Sequence, residues 1–222
     1  MLKPTIISIS MATVMAGAAI SPALGVIAEY FAEASQTTIK LILTAPALTI
    51  IPFTFITSFL TSKLRKKTIV LIGLATYLIG GLGPQFMMSI ESIILFRLVL
   101  GASVGILMPL SESLIYDYFA GDERTQMMGF NQAFSNLGGI VTMLIAGWLA
   151  AYGWRLPFNV YLLGVVIFVL VYYFLPEGEP VQVPVTEDKL RIPRIVYGYA
   201  LAMGLLMLAY YSVATNMALF LV

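Results

Sequence analysis

Arg97 and Glu112 are the charged residues whose positions point to chemistry, because both lie inside one long apolar stretch, Ile93–Ala120. Either residue type is costly at membrane depth unless it faces protein or water. Steps of four, four, three and four residues lead from Arg97 through Gly101, Gly105 and Met108 to Glu112, so all five share one side of a helix. The two charges lie about 22 Å apart along the axis and cannot pair. The stripe predicts a helix face toward other helices or a watery cavity.

The elements that must position this stripe are membrane-spanning helices. The 222 residues are 60% hydrophobic and 10% charged, whereas a soluble domain averages about 25% charged. Seven apolar stretches reach spanning length: Thr5–Ala28, Ile39–Leu60, Thr68–Met88, Ile93–Phe119, Met127–Ala151, Pro157–Leu175 and Arg194–Val222. Stretches this long without strict alternation predict helices, because backbone groups have no partners in lipid. The predicted fold class is an all-α membrane protein.

The residue types that are absent exclude most enzyme chemistry. The chain has no cysteine and no histidine, so thiol nucleophiles, disulfides, Ser-His triads and most zinc sites are ruled out. The sequence also lacks the phosphate loop G-x-x-x-x-G-K-[ST]. A net charge of +1 gives no reason to expect nucleic acid as a partner. We therefore predict no enzyme activity, no metal and no cofactor, and any proton handling must fall to carboxylates.

The basic residues are divided unequally between the two ends of the predicted helices. Two of them, Lys40 and Arg155, fall on one side. Nine fall on the other: Lys3, Lys63, Arg65, Lys66, Lys67, Arg124, Lys189, Arg191 and Arg194. Positive charge concentrates on the cytoplasmic side of membrane proteins. The bias predicts a multi-pass protein of the cell (inner or plasma) membrane with a cytoplasmic N-terminus.

A polar, proline-rich segment separates the sixth and seventh apolar stretches. We predict a six-helix bundle over residues 1–175, a cytoplasmic linker over 176–193, and the first helix of a second, incomplete bundle over 194–222. The seventh stretch begins like the first, with a basic residue two positions or fewer before a proline. A longer loop within a single bundle is the alternative.

Three motifs resemble the major facilitator superfamily, in particular its drug-exporter-like branch. The loop Ser58–Lys67 keeps the leucine and basic residues of G-x-L-x-D-R-x-G-R-[RK], with Ser62 in place of the aspartate. The segment from Arg97 to Gly105 is similar to R-x-x-x-G-x-x-x-G. The fifth stretch keeps Gly129 and Gly138 of the antiporter motif G-x8-G-x3-G-P-x2-G-G, but Thr142-Met143 replace Gly-Pro.

The resemblance implies the six-helix N-terminal bundle of a major facilitator fold plus a seventh transmembrane helix, roughly the first half of a family member. It implies a secondary active transporter, and we expect proton-coupled export of small lipophilic or amphipathic molecules by alternating access. The implied partners are the lipid bilayer, a small-molecule substrate, protons and a C-terminal half from the same gene or another chain. The alternative is a non-transporting half-bundle that acts as a scaffold or needs a partner half.

Proton coupling is expected at Arg97 and Glu112. In exporters of this type the arginine is tied to proton coupling or to anchoring the cavity; the alternative here is a side chain that extends to the outer interface. Glu112 is the only carboxylate well within a predicted span, and a carboxylate can exchange a proton when its surroundings change from dry to wet. The alternative for Glu112 is a structural hydrogen bond to Ser111, Ser113 or a neighbouring helix. In a lone half-bundle, both charges are expected to be exposed.

Two further sites follow from the sequence. Met15, Met108 and Asn136 are expected to line a substrate cavity, since methionine suits a promiscuous apolar pocket; helix packing is the alternative. The resemblance implies a cytoplasmic gate, assigned here to Lys63, Arg65, Lys66, Lys67, Asp117 and Arg124. We hypothesise that Asp117 lies within salt-bridge reach of one of these basic residues. The basic cluster is equally explained by the positive-inside bias.

Overall fold

The computed structural model describes residues 1–177 together with 195, 198–199, 201–203 and 205–206. The chain comprises two compact units, Met1–Gln182 and Val183–Val222. The predicted linker beyond Glu177 and most of the predicted seventh helix lie outside the described residues, so the predicted domain boundaries stay a prediction.

Within residues 1–177, seven α-helices and three short 3-10 helices form six spans. The α-helices are α1 (Leu2–Ala18), α2 (Leu24–Tyr30), α3 (Gln36–Thr61), α4 (Lys66–Leu82), α5 (Ile90–Tyr118), α6 (Gly121–Ala150) and α7 (Leu163–Phe174). The 3-10 helices are Ser21–Ala23, Gly83–Phe86 and Leu156–Leu162. Each of the six spans is long and apolar enough to cross a membrane. The predicted all-α membrane fold is confirmed.

Local sequence signals set several of the helix ends. Ser35 and Ser89 cap α3 and α5, because each hydroxyl accepts a hydrogen bond from the backbone N–H three residues later. The first span is interrupted between α1 and α2, where Pro22 lacks an N–H to continue the helix. The fifth span begins at Gly121, several residues before its predicted start at Met127. Two acidic residues in the first turn of α6 favour that extension, because they complement the positive end of the helix dipole.

Helix α5 lies at the centre of the unit, and its middle section, Leu100–Leu107, is buried throughout. Small residues allow the neighbouring backbones to approach it closely. A Cβ atom added to Gly80 of α4 would lie 2.5 Å from the backbone nitrogen of Leu100. Helix α1 packs on α6 in the same way, since a Cβ atom on Gly138 would lie 2.8 Å from the methyl carbon of Met11.

Candidate functional site

Arg97 lies in the interior of the bundle, with none of its surface exposed. Its Nε donates to the carbonyl oxygen of Ile42 on α3 at 3.1 Å. Its two terminal nitrogens donate to the hydroxyl of Tyr161 at 2.7 Å and to the carbonyl oxygen of Ala16 on α1 at 3.4 Å. The Tyr161 hydroxyl also donates to Ala16, at 2.9 Å. Arg97 therefore joins three elements from within α5 and does not extend to the outer interface.

Carbonyl and hydroxyl oxygens, rather than carboxylates, surround the Arg97 guanidinium. Among the described residues no carboxylate pairs with it. A guanidinium stays protonated inside proteins, so this centre carries a fixed positive charge. Sequence reasoning missed Tyr161, because a tyrosine near the end of a span resembles an ordinary interfacial residue.

The predicted stripe on α5 divides into a packed half and an exposed half. Gly101 and Gly105 face α3: a Cβ atom on Gly101 would overlap the carbonyl oxygen of Pro46, and one on Gly105 would lie 2.5 Å from that of Ile50. Met108 is 51% exposed, and Glu112 is exposed on the surface of the unit. The expectation that a half-bundle leaves both charges exposed is wrong for Arg97, because neighbouring helices of the same bundle supply its partners.

Glu112 makes no hydrogen bond or ion pair to any residue that the structure describes in residues 1–177. The neighbouring hydroxyls are engaged elsewhere. Ser111 donates to the carbonyl oxygen of Met108 at 2.8 Å, and Ser113 lies 2.6 Å from the Lys66 ammonium. The carboxylate is thus available to solvent or to another surface.

The basic loop and the ends of the spans beside it form a network of charges, which we call the basic end. Lys66 lies 2.5 Å from the Asp117 carboxylate, so the hypothesised ion pair of Asp117 is present in the structure. Arg65 lies 2.6 Å from the carboxylate of Glu177, directly after the sixth span. The Lys66 side chain is only 12% exposed, whereas that of Arg65 is 54% exposed.

The other predicted gate residues contact aromatic rings and backbone. The ammonium groups of Lys63 and Lys67 lie over the rings of Phe59 and Tyr172, at 4.3 and 5.8 Å from the ring centres. Arg124 donates to the carbonyl oxygens of Phe119 and Tyr116 at 2.9 and 3.2 Å, and so satisfies carbonyls at the end of α5.

A third ion pair at the basic end was missed by sequence reasoning. Lys3 of α1 lies 2.6 Å from the carboxylate of Glu123 in the first turn of α6. The signal was present in the sequence, because a basic residue opens the first span and acidic residues open the fifth. It required knowing that α1 and α6 pack side by side with their first turns at the same end.

A cavity of about 430 Å³ lies between α1, α6 and α7, and its lining is almost wholly apolar. Met11 and Met15 of α1 face Phe134 and Gly138 of α6 across it, with Val166 of α7 closing one side. Met15 therefore lines this apolar cavity, and its role in binding substrate stays a prediction.

The other two predicted cavity residues lie elsewhere in the unit. Met108 and Asn136 are exposed and do not line the cavity that contains Met15. The side-chain oxygen of Asn136 accepts a hydrogen bond from Gln132 at 3.4 Å, one helical turn away. In the described part of the chain, the three predicted residues thus do not share one pocket.

Known proteins with similar sequences include a transport protein and a drug-resistance protein. The chain is 31% identical over 116 residues to the cis,cis-muconate transport protein of Acinetobacter baylyi, an alignment that covers 52% of this chain and 28% of that protein. It is 31% identical over 103 residues to the quinolone resistance protein NorA of Staphylococcus aureus, covering 45% of this chain and 26% of that one.

The fold matches a solved transporter structure. The xylose transporter XylE from E. coli, in an inward-open conformation, superposes with a TM-score of 0.70 at 16% identity, over 79% of this chain and 47% of XylE. The aligned part of this chain spans less than a third of the length of either curated relative. A sequence model of the Major Facilitator Superfamily matches residues 6–222. With six helices in residues 1–177 long and apolar enough to cross a membrane, the chain belongs to the Major Facilitator Superfamily of transporters.

Proposed function

We propose that this chain belongs to a secondary active transporter that exports small lipophilic or amphipathic molecules in exchange for protons, by alternating access. The observation that carries the proposal is the division of α5. Its Arg97 half is fixed inside the bundle by three hydrogen bonds, while its Glu112 half presents a carboxylate at the surface of the unit. An exposed carboxylate on a rigidly held helix can exchange a proton when the surface beside it opens or closes.

The proposed substrate class rests on the apolar character of the exposed surfaces and of the cavity. The cavity beside Met15 is lined mainly by aliphatic side chains, two methionines and one phenylalanine, with Ser8 and Thr142 as its hydroxyl-bearing residues. Such a lining suits lipophilic molecules of varied shape. The name of NorA as a quinolone resistance protein supports export. Met108 and Asn136 are proposed to contribute to a separate, central surface that is completed by a C-terminal half.

The proposed gate lies at the basic end, and the charge bias supports a cytoplasmic position for that end in a cell membrane. The Lys66–Asp117 and Arg65–Glu177 pairs connect the loop between α3 and α4 to α5 and to the end of the sixth span. Lys63, Lys67 and Arg124 are proposed as further members of this gate. Exposed ion pairs contribute little stability, but they can favour one gate state over another.

A second candidate, the non-transporting half-bundle, is favoured by one observation. Arg97 finds all its partners inside residues 1–177, so the six-span unit does not need a second half to satisfy that charge. Transport by the chain, alone or joined to a C-terminal half, separates the two candidates.

The experiment measures accumulation of a fluorescent quinolone in inside-out vesicles that contain the transporter, with an imposed proton gradient. Export coupled to protons predicts that an ionophore abolishes accumulation and that Glu112→Gln does the same without loss of protein. Glu91→Gln is the matched control, since Glu91 lies exposed in the first turn of the same helix. Accumulation that survives the ionophore would refute proton coupling, and equal loss in both variants would remove Glu112 from the mechanism.

A further inference from the structure

Arg97 contacts α3 at a carbonyl oxygen that the sequence leaves without a helical partner. Pro46 lies inside α3, and a proline has no N–H to donate to the carbonyl four residues earlier. That carbonyl belongs to Ile42, which instead accepts a hydrogen bond from Nε of Arg97 at 3.1 Å. In a membrane, a carbonyl freed by proline must find such a donor in a neighbouring helix.

The second backbone acceptor of Arg97 lies at the interruption of the first span. Helix α1 ends at Ala18, so the carbonyl of Ala16 is among the last four, which have no regular helical donor. Arg97 and Tyr161 both donate to it, at 3.4 and 2.9 Å. One guanidinium therefore reaches the backbone discontinuities of two different spans.

Helices α3 and α5 show a weaker reciprocal arrangement. Pro109 lies inside α5 and leaves the carbonyl of Gly105 without its helical donor. The hydroxyl of Thr57 on α3 lies 3.4 Å from that oxygen while it donates to Phe53 of its own helix at 2.7 Å. Each helix thus places a polar side chain at the proline break of the other.

The approach of the two backbones that makes these contacts possible depends on Gly101. A Cβ atom at this position would overlap both the carbonyl of Pro46 and the hydroxyl of Thr49. That hydroxyl donates to the carbonyl oxygen of Leu98 at 2.7 Å. The Arg97 contact to Ile42 is therefore one part of a continuous seam between α3 and α5.

We propose that Arg97 is a positioning residue: its guanidinium replaces the backbone donors missing at the breaks of the first and second spans, and so fixes α5 within the bundle. Arg97 does not exchange the transported proton. It holds in place the helix on which Glu112 is presented. The positioning role concerns the packing of this chain alone, whereas the link to Glu112 and protons rests on the proposed transport function.

The test is a thermodynamic cycle between Arg97 and the proline whose missing donor it replaces. Arg97→Met removes the donor to Ile42, while Ala16 keeps the Tyr161 hydroxyl, so Ile42 is the main acceptor left unpaired. We expect Arg97→Met to lower the melting temperature by roughly 3 to 10 °C. In a Pro46→Ala background, the restored N–H can serve Ile42, and the loss should fall to less than half.

Pro52→Ala provides the matched control. Pro52 also lies inside α3, but the carbonyl it frees is that of Leu48, whose side chain is 71% exposed and which has no contact with Arg97 among the described residues. The loss from Arg97→Met should be undiminished in that background. An equal loss in the Pro46→Ala and Pro52→Ala backgrounds would overturn the proposal.

If Arg97→Met does not fold, Arg97→Lys provides a milder variant that keeps the charge but not the planar fork. It should show a smaller loss that Pro46→Ala reduces in the same way. An unreduced loss would again overturn the proposal.

A transport measurement separates positioning from proton coupling. The Arg97→Met, Pro46→Ala double variant should keep the pH dependence of transport of the parent protein, because no titrating group has changed. A shifted pH profile in a thermally restored variant would show that Arg97 takes part in coupling. If the parent protein transports nothing, the proposed function fails while the thermal cycle still tests the positioning role.

Discussion

Two charged regions of this bundle, the Arg97 centre and the basic end, hold their charges in opposite ways. Arg97 is fully buried and contacts two carbonyl oxygens and a hydroxyl. At the basic end, Arg65 and Lys66 pair with carboxylates, and the side chains of the outer pair are more than half exposed. The Arg97 centre has a fixed charge that no described carboxylate neutralises. The basic end has ion pairs in which water or salt ions can take the place of either partner.

The difference indicates what each region is suited to do. Breaking the contacts of a buried charge leaves it unpaired in a medium of low dielectric constant, at a cost of about 3–5 kcal/mol. Separating an exposed pair costs about 0–1 kcal/mol, because water solvates both partners. Under the proposed function, the Arg97 centre suits a part of the bundle that stays rigid, and the basic end suits a gate that opens repeatedly.

The largest effect is expected where the backbones meet beside Arg97. Gly101→Ala should lower the free energy of unfolding by about 3 kcal/mol, since the added methyl group must displace the α3 backbone rather than a side chain. Chemical or thermal unfolding in detergent measures the change. The same variant should also weaken the Arg97 contact to Ile42. The double variant Gly101→Ala, Arg97→Met should therefore lose less stability than the sum of the two single losses.

Gly129→Ala is the control for Gly101→Ala. Gly129 is part of the antiporter-like motif and also lies within a helix, but a Cβ atom there would meet nothing within 4 Å. Alanine is the better helix former by up to about 1 kcal/mol, so this substitution should be neutral or stabilising. A loss from Gly129→Ala as large as that from Gly101→Ala would remove the distinction between a packed and an open glycine.

A smaller effect is expected at the hydroxyl that Arg97 shares with Ala16. Tyr161→Phe keeps the ring, which packs edge-on against Tyr77 at 5.5 Å, and removes only the hydrogen-bonding group. We expect a loss of about 1.5–3 kcal/mol, because an N–H of a charged, buried group is left unpaired. Tyr172→Phe, at a side chain 56% exposed, should change stability by less than about 0.5 kcal/mol.

The sequence was sufficient for the spans and for the residues that stand out by charge. Runs of apolar residues predict six of the helices, and Arg97 and Glu112 are conspicuous because charge is rare at that depth. The partners of these residues could not be predicted. Ile42 and Ala16 contribute backbone oxygens, which no side-chain pattern reveals, and Tyr161 is distant in sequence from Arg97.

The packing of helices also determines which residues of the α5 stripe are buried. Helical spacing places Gly101 and Glu112 on the same side, but it cannot show that α3 covers the former and leaves the latter exposed. The Asp117 pair was predictable because the family resemblance brings two loops together at one end. The choice of Lys66 among four neighbouring basic residues depends on where α4 begins.

At the basic end, the inner pair should contribute more than the outer one. Asp117→Asn and Lys66→Gln, combined in a double-mutant cycle, should show a coupling of about 1 kcal/mol, since Lys66 is largely shielded and also contacts Ser113. The coupling should decrease only slightly when salt is raised from 0.1 to about 1 M, because a partly buried pair is weakly screened. A coupling near zero would place this pair with the exposed ones.

The smallest effect is expected for Glu177→Gln, which removes the outer pair with Arg65. The exposed fractions of the two side chains are 54% for Arg65 and 61% for Glu177, so we expect a loss below about 0.5 kcal/mol that vanishes in about 1 M salt. The backbone before Glu177 keeps a second contact, because the Tyr118 hydroxyl donates to the carbonyl of Pro176 at 3.4 Å. Unfolding measured at low and high salt, with Asp117→Asn as the reference, tests this ranking. A loss for Glu177→Gln that equals that for Asp117→Asn and persists in salt would show that exposure does not rank the two pairs. The contrast between the buried Arg97 centre and the exposed pairs would then fail at the basic end.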